Sequence, residues 1–111
     1  MHEVSVMMSI MDTALDVAKT ENASRITKIS LLIGQRSGVM IDSLRFAYEM
    51  VTAESIAQGA ELEIEEVPFR GKCMACDHEF DCRDFLVCDR CGGVGELLSG
   101  QELQIKSIEI E

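Results

Sequence analysis

Two Cys-x-x-Cys pairs, Cys73/Cys76 and Cys88/Cys91, stand eleven residues apart and carry the plainest chemistry in this 111-residue chain. Two residues between cysteines let one tight turn aim both thiolates at a single ion, and two such turns complete a tetrahedral site of the kind zinc takes. Gly92 and Gly93 behind the second pair allow backbone N–H groups to turn back toward the sulfurs. Four thiolates leave no open coordination position, so the expected zinc is structural. They also leave a local charge of about −2, which Lys72 and Arg90 beside the ligands suit. A pair of redox thiols would use the same residues, but it asks for a low-pKa cysteine at a helix start, and Cys73 and Cys88 precede turns. His78 and Cys82 lie between the pairs as spare ligands; the simpler reading is a solvated histidine and a half-buried thiol.

The opening Met1-His2-Glu3 offers a second, different metal chemistry. The terminal amine, the His2 amide nitrogen and the His2 imidazole Nδ1 can close fused five- and six-membered chelate rings around one ion. Nickel(II) or copper(II), which accept a square-planar nitrogen field, fit that arrangement. The Glu3 amide can add a fourth nitrogen, while its carboxylate can orient the imidazole or bind axially. The bulk of His2 disfavours removal of Met1, so the amine is that of Met1. Taken alone, these three residues read first as a solvated chain end; the remainder of the chain changes that reading.

The elements that must carry these groups are legible from periodicity. Val4, Met7, Met8, Met11, Leu15 and Ala18 recur at three- and four-residue steps, predicting an amphipathic helix from Glu3 to about Glu21 with its methionines as core filler. Arg25 to Ile33 switches to alternation and predicts a strand. Asp42 or Ser43 caps a second helix to about Thr52, with Leu44, Ala47 and Val51 as its stripe and Phe46 and Met50 beside it. Leu62 and Ile64 alternate with Glu61, Glu63 and Glu65 in a strand that Pro68 ends, leaving an acidic face that suits a basic partner. From Gly71 to Leu98 the apolar period fades and cysteines concentrate. A last strand carries Leu103, Ile105, Ile108 and Ile110, with its alternation slipping at Lys106 and Ser107 as a bulge would cause. The fold class is therefore α+β: two helices on a three-stranded sheet, with a small zinc-ribbon-like domain inserted before the last strand. Residues 1–68 plus 101–111 form the first domain and 71–98 the zinc-binding domain.

Bulk properties narrow the function. Ten basic against twenty acidic residues give a formal net charge of −10, which opposes phosphate backbones and anionic membranes. One tyrosine, four phenylalanines and no tryptophan supply no base-stacking surface. A zinc-ribbon module for nucleic acid or protein interaction is the alternative reading, and its nucleic-acid form predicts a basic, aromatic insert where this one is acidic. Neither a signal peptide nor a membrane span is expected, and five cysteines without a disulfide pattern place the chain in the cytoplasm with reduced thiols. No nucleophile and base at recognisable spacing and no Gly-rich phosphate loop are present, so no enzyme activity is expected.

In order along the chain, Met1-His2-Glu3, Ile33-Gly34, Ser43-Leu44-Arg45-Phe46-Ala47, the run Gly59-Ala60-Glu61-Leu62-Glu63-Ile64-Glu65-Glu66, both cysteine pairs and Ile108-Glu109-Ile110 resemble the HypA/HybF family of hydrogenase nickel-incorporation metallochaperones. The resemblance implies nickel as cargo at His2, Met1 and Glu3, with His2 the essential side chain, and structural zinc on Cys73, Cys76, Cys88 and Cys91. It implies delivery to the large subunit of nickel-iron hydrogenase together with a nickel-handling GTPase, with urease as a possible second recipient and either a monomer or a homodimer as the carrier. The second knuckle departs from the family in reading Cys88-Asp89-Arg90-Cys91, where proline commonly follows the first cysteine, and Cys82 is an additional thiol.

Overall fold

The structure is a computed structural model that describes residues 2–111. Its elements run α1 (Glu3–Thr20), β1 (Ile26–Gly34), α2 (Ile41–Thr52), β2 (Glu61–Val67), β3 (Arg70–Cys73), β4 (Glu79–Asp81), β5 (Gly95–Ser99) and β6 (Leu103–Ile110). By internal contacts they fall into two compact units. The first holds the chain up to Leu32 with Val39–Glu65 and Gln104–Glu111; the second holds Ile33–Gly38 with Glu66–Leu103. Among the described residues no helix is long and apolar enough to cross a membrane.

One sheet has the order β2-β1-β6. Lys28 of β1 reaches Glu61 and Glu63 at the start of β2, and the Gln35 N–H just beyond β1 reaches the Val67 carbonyl at its end. Pairing therefore advances in one direction, and β1-α2-β2 is a parallel βαβ unit. β6 returns antiparallel: Gly34 N–H donates to the Glu102 carbonyl and Glu111 N–H to the Arg25 carbonyl. Arg25 with Glu111 and Gly34 with Glu102 are both hydrogen-bonded yet stand nine positions apart on each strand, an odd step that a regular ladder, bonded at every second residue, does not allow. Lys106 and Glu109, three residues apart, both reach the face that carries Lys28 and the β2 glutamates, which fits the expected slip of alternation at Lys106 and Ser107 and keeps Leu103, Ile105, Ile108 and Ile110 on the other face.

The two helices pack on each other. Met7, Ile10, Met11, Ala14 and Ala18 of α1 are buried, as are Leu44, Ala47, Tyr48 and Thr52 of α2, with Ile29, Leu31 and Ile33 among the sheet's buried residues. The α1 face is rotated from the expected stripe: Val4 and Met8 are exposed, and Ile10 and Ala14 take their place. In α2 the Tyr48 hydroxyl donates to the Ala60 carbonyl at 2.9 Å, which lets a phenol enter the core with its polar tip satisfied. Phe46 and Met50 point outward.

Two sequence expectations are revised. The residue preceding α2 is Met40, so Asp42 and Ser43 sit inside its first turn, and α2 has no side-chain cap among its own residues. The acidic strand face is partly offset from within: Lys28 lies 3.1 Å from Glu63 and 3.8 Å from both Glu61 and Glu109, and Lys106 lies 2.9 Å from Glu65. Lys28 is held above its ordinary lysine range, first by the Glu63 hydrogen bond, and Glu63 is drawn below the carboxylate range by the same bond. Four carboxylates against two lysines leave this face with a formal charge of about −2, smaller than the strand's glutamates alone would give a basic partner.

Candidate metal centres

The second unit is built around β3, which pairs antiparallel with β4 on one side and β5 on the other. Buried Cys73, Phe80 and Cys88 form its small apolar cluster. The two cysteine turns repeat each other in backbone detail. In the first, Asp77 N–H donates to the Cys73 carbonyl at 3.0 Å, Cys73 N–H to the His78 carbonyl at 2.8 Å, and the Ala75 and Cys76 N–H groups to Cys73 Sγ, each at 3.4 Å. In the second, Gly92 N–H donates to the Cys88 carbonyl at 3.0 Å, Cys88 N–H to the Gly93 carbonyl at 2.8 Å, and the Arg90 and Cys91 N–H groups to Cys88 Sγ, again at 3.4 Å. Asp77 and Gly92 occupy the same left-handed position, with φ of 62° and 77°. Only a small polar residue or glycine stands there comfortably, which is why each turn ends as it does.

The four sulfurs converge. Cys73 Sγ lies 3.5 Å from Cys91 Sγ and Cys76 Sγ lies 3.7 Å from Cys88 Sγ, and all four lie within 4.8 Å of one another. Zinc–sulfur bonds of about 2.3 Å at tetrahedral angles place sulfurs about 3.8 Å apart, so the donor set fits that ion with little movement. Titration gives a second reason to expect a cation. The Cys73 thiol is drawn down to about 7, first by the Cys76 N–H and then by the Ala75 N–H, and Cys88 is lowered in the same way by the Cys91 and Arg90 N–H groups. The His78 N–H pulls on Cys76, yet burial and the three neighbouring sulfurs outweigh it and push that thiol up to about 12. Cys91 is likewise raised, the Gly93 N–H being outweighed chiefly by the Cys73 sulfur. Two sulfurs ionise readily at the expense of two that keep their protons. Four thiolates at this spacing require a positive ion between them.

His78 and Cys82 stay outside this group. The His78 Nε2 lies 2.8 Å from Asp89 Oδ1 and its ring stacks on Phe80 with centroids 6.2 Å apart, so it ties the first turn to the second and is not simply solvated. Cys82 is half-buried against Cys73, Phe80 and Cys88, and burial first, then Asp81, raises its thiol. Among the described residues, the donors to the Cys73 and Cys88 sulfurs are backbone N–H groups, not the side chains of Lys72 and Arg90.

The amino-terminal residues belong to the first unit. Met1, the expected amine donor, lies outside the described residues. His2 is extended (φ −91°, ψ 98°) and α1 begins at Glu3, with Val6 N–H to the His2 carbonyl as its first bond. The N–H groups of His2 and Glu3 thus precede the helical ladder and have no acceptor within it. Glu3 Oε2 accepts the Met40 N–H at 3.2 Å, and that bond, before any other influence, draws the carboxyl below its ordinary range. His2, Glu3 and Val4 line an open groove of about 480 Å³ with Asp42, Ser43 and Phe46 of α2. Sequence reasoning had placed the last three on a different helix with no link to the terminus. By residue type Asp42 or Ser43 reads as a cap, and the six residues between β1 and α2 carry no sign that they return α2 to the start of α1.

The family model described as "Hydrogenase/urease nickel incorporation, metallochaperone, hypA" matches residues 1–110. The chain belongs to this family. The "Hydrogenase maturation factor HypA" of Chlorobaculum tepidum is 40% identical and that of Geobacter metallireducens 37% identical, each match covering all of both chains. The solution structure of the Ni metallochaperone HypA from Helicobacter pylori matches with a TM-score of 0.69 at 28% identity, over 99% of this chain and 97% of that one. A second HypA solution structure matches with a TM-score of 0.73 at 29% identity, over 100% and 97%. This HypA-family chain is accordingly a nickel-incorporation metallochaperone of hydrogenase maturation, with a four-cysteine cluster able to hold a metal.

Proposed function

We propose that the chain carries nickel(II) at its amino terminus, on the His2 imidazole and amide with Met1 and Glu3 supplying further donors, and passes it on by ligand exchange. The observation that carries this reading is the start of α1 at Glu3, which leaves the amide nitrogens of His2 and Glu3 without helical acceptors at the mouth of the groove. An amide that bonds nickel must lose its proton, and losing it here breaks no helical hydrogen bond. A chelate drawn mostly from one short segment can be stripped ligand by ligand, which suits handing the ion over.

The Cys73, Cys76, Cys88 and Cys91 sulfurs would hold zinc, with the closed first shell of a structural ion. Zinc there would cross-link two turns whose buried cluster, among the described residues, contains one large side chain, Phe80. In this reading residues 1–68 plus 101–111 are the nickel-binding domain and 71–98 the zinc-binding domain. The recipient is the large subunit of nickel-iron hydrogenase, reached together with a nickel-handling GTPase, and urease is a second candidate recipient.

The test is a nickel titration by calorimetry and absorption on zinc-loaded protein with a native start, comparing wild type, His2→Ala and a one-residue amino-terminal extension. Both changes are expected to abolish a one-to-one site while zinc content and melting temperature persist. Unchanged nickel binding in His2→Ala would overturn the terminal site.

A further inference from the structure

We propose that the Glu3 side chain is a positioning residue for the terminal nickel site: its carboxylate clasps the Met40 N–H at the entrance to α2 and so holds His2 over the groove, and it does not ligate the ion. The inference rests on the nickel reading above and deepens it.

The contact joins residues 37 apart in sequence. Met40 is extended (φ −88°, ψ 115°), and its N–H is one of the donors that a helix start leaves without a partner. In many helices a glutamate in the first turn turns back to take that donor. Here α2 has no side-chain cap of its own, and Glu3, the first residue of α1, takes the donor from the neighbouring helix. The clasp fixes the first turn of α1 against α2. His2 immediately precedes that turn, so its direction of exit is fixed as well, and it lines the groove with Asp42, Ser43 and Phe46.

The same geometry explains why the carboxylate keeps its place when an ion arrives. Glu3 lies at the N-terminal end of α1 and reaches the N-terminal end of α2, so two positive helix ends favour the anion where it stands. Nickel drawing it away would forfeit the charge-assisted Met40 bond and leave that N–H to solvent. The Glu3 amide is a different matter: it has no acceptor in the helical ladder, only its own carboxylate, so it can give up its proton to bind nickel while the Met40 bond keeps the side chain on α2. Glu3 then serves the site twice, by its backbone as a donor and by its carboxylate as the tether that orders the donors beforehand.

Hydrogen exchange of the Met40 amide, followed by NMR on zinc-loaded full-length protein, tests the tether with and without nickel(II). Wild type is compared with Glu3→Ala, which removes the acceptor, and Glu3→Gln, which keeps a carbonyl oxygen at the same reach. In the nickel-free protein, Glu3→Ala is expected to speed Met40 exchange about tenfold, with Glu3→Gln between it and wild type. Nickel affinity should fall about three- to tenfold in Glu3→Ala and recover in part in Glu3→Gln, while the nickel absorption spectrum keeps its band positions in both. Adding nickel to wild type should leave Met40 protected. Loss of that protection on loading, or shifted nickel bands in both variants, would make the carboxylate a ligand and overturn the proposal. Equal Met40 exchange in nickel-free wild type and Glu3→Ala would overturn it too. Because the nickel-free comparison needs no bound ion, a failure of the clasp and a failure of the terminal nickel site give different results; a melting curve for each variant guards against misfolding.

Discussion

Gly92 and Gly93 follow one another, yet the cysteine turns predict opposite fates for them. A Cβ added at Gly93 lands 3.0 Å from Cys73 Sγ, 3.3 Å from Cys91 Sγ and 3.4 Å from Ala75 Cβ. Ordinary packing distances are roughly 3.5–4.0 Å, so a ligand sulfur would have to retreat by about half an ångström. With zinc bound, that retreat must bend or lengthen a zinc–sulfur bond. Overpacking of this kind costs about 1–3 kcal/mol, which lowers zinc affinity about 5- to 150-fold in Gly93→Ala. At Gly92 a Cβ meets nothing within 4 Å, and the only cost is φ of +77°. Asp77 already stands at φ +62° in the matching place of the first turn. Gly92→Asp should therefore cost less than about 1 kcal/mol, a factor of about five at most. Competition with a chromogenic zinc chelator, with zinc content measured by mass spectrometry, gives both numbers. Gly93→Ala holding zinc as tightly as wild type, or Gly92→Asp holding it more weakly than Gly93→Ala, would refute the sulfur geometry from which both figures come.

Tyr48→Phe removes the buried bond to the Ala60 carbonyl and should cost about 1 kcal/mol, lowering Tm by about 4 °C in thermal denaturation. Stripping zinc with a chelator should abolish amide protection in β3, β4 and β5 while α1 and α2 stay protected, read residue by residue by hydrogen exchange; joint loss of all five would show that the units do not fold separately. Lys28→Met leaves Glu61, Glu63 and Glu109 facing one another and should lower Tm near neutral pH, more at low salt than at high. The sign of its pH dependence follows from the two shifts. Glu63 is lowered from 4.5, so its contribution is full above that value and fades as pH falls through its folded pKa; Lys28 is raised from 10.5, so its contribution is full below that value and fades as pH rises through its folded pKa. The variant and wild type should converge in Tm at both extremes.

The fold was legible where one periodicity decided it. The helix starting at Glu3, the alternation into Ile33, and the strand from Leu103 to Ile110 are all found where apolar spacing placed them. Spacing alone misplaced one edge of the α1 face: Met7, Met11 and Ala18 are buried as expected, but Met8 and Ile10 are both apolar and the packed structure buries only Ile10. The cysteine site was legible for a local reason: each turn contains its own donors, and sequence shows both turns whole. The terminal groove was not, since it depends on Glu3 meeting Met40 across the entire β1 strand. Asp42 looks like a cap by residue type, yet the cap position is Met40, two residues earlier, and the carboxylate serving its entrance comes from α1. Lys28 and Lys106 were likewise unreadable as partners of the acidic strand until the order β2-β1-β6 set them beside it.

A helix start is an unexpected place to hold a cation, because its exposed N–H groups carry the equivalent of about half a positive charge, which costs a cation roughly 0.3–1 kcal/mol. Nickel bound only through the His2 imidazole would meet whatever part of that repulsion the Glu3 carboxylate leaves. Bound through amide nitrogens it would not, since each amide that gives up its proton turns a repelling dipole into an anionic ligand. The helix end then favours exchanging protons for the ion, and affinity must fall steeply in acid. Calorimetry in buffers of differing ionisation enthalpy counts the protons released per nickel. About two or more near neutral pH are expected if the amides of His2 and Glu3 both ligate. A count below one would mean that the imidazole alone holds the ion, and the lack of helical acceptors at these two residues would then contribute nothing to metal capture.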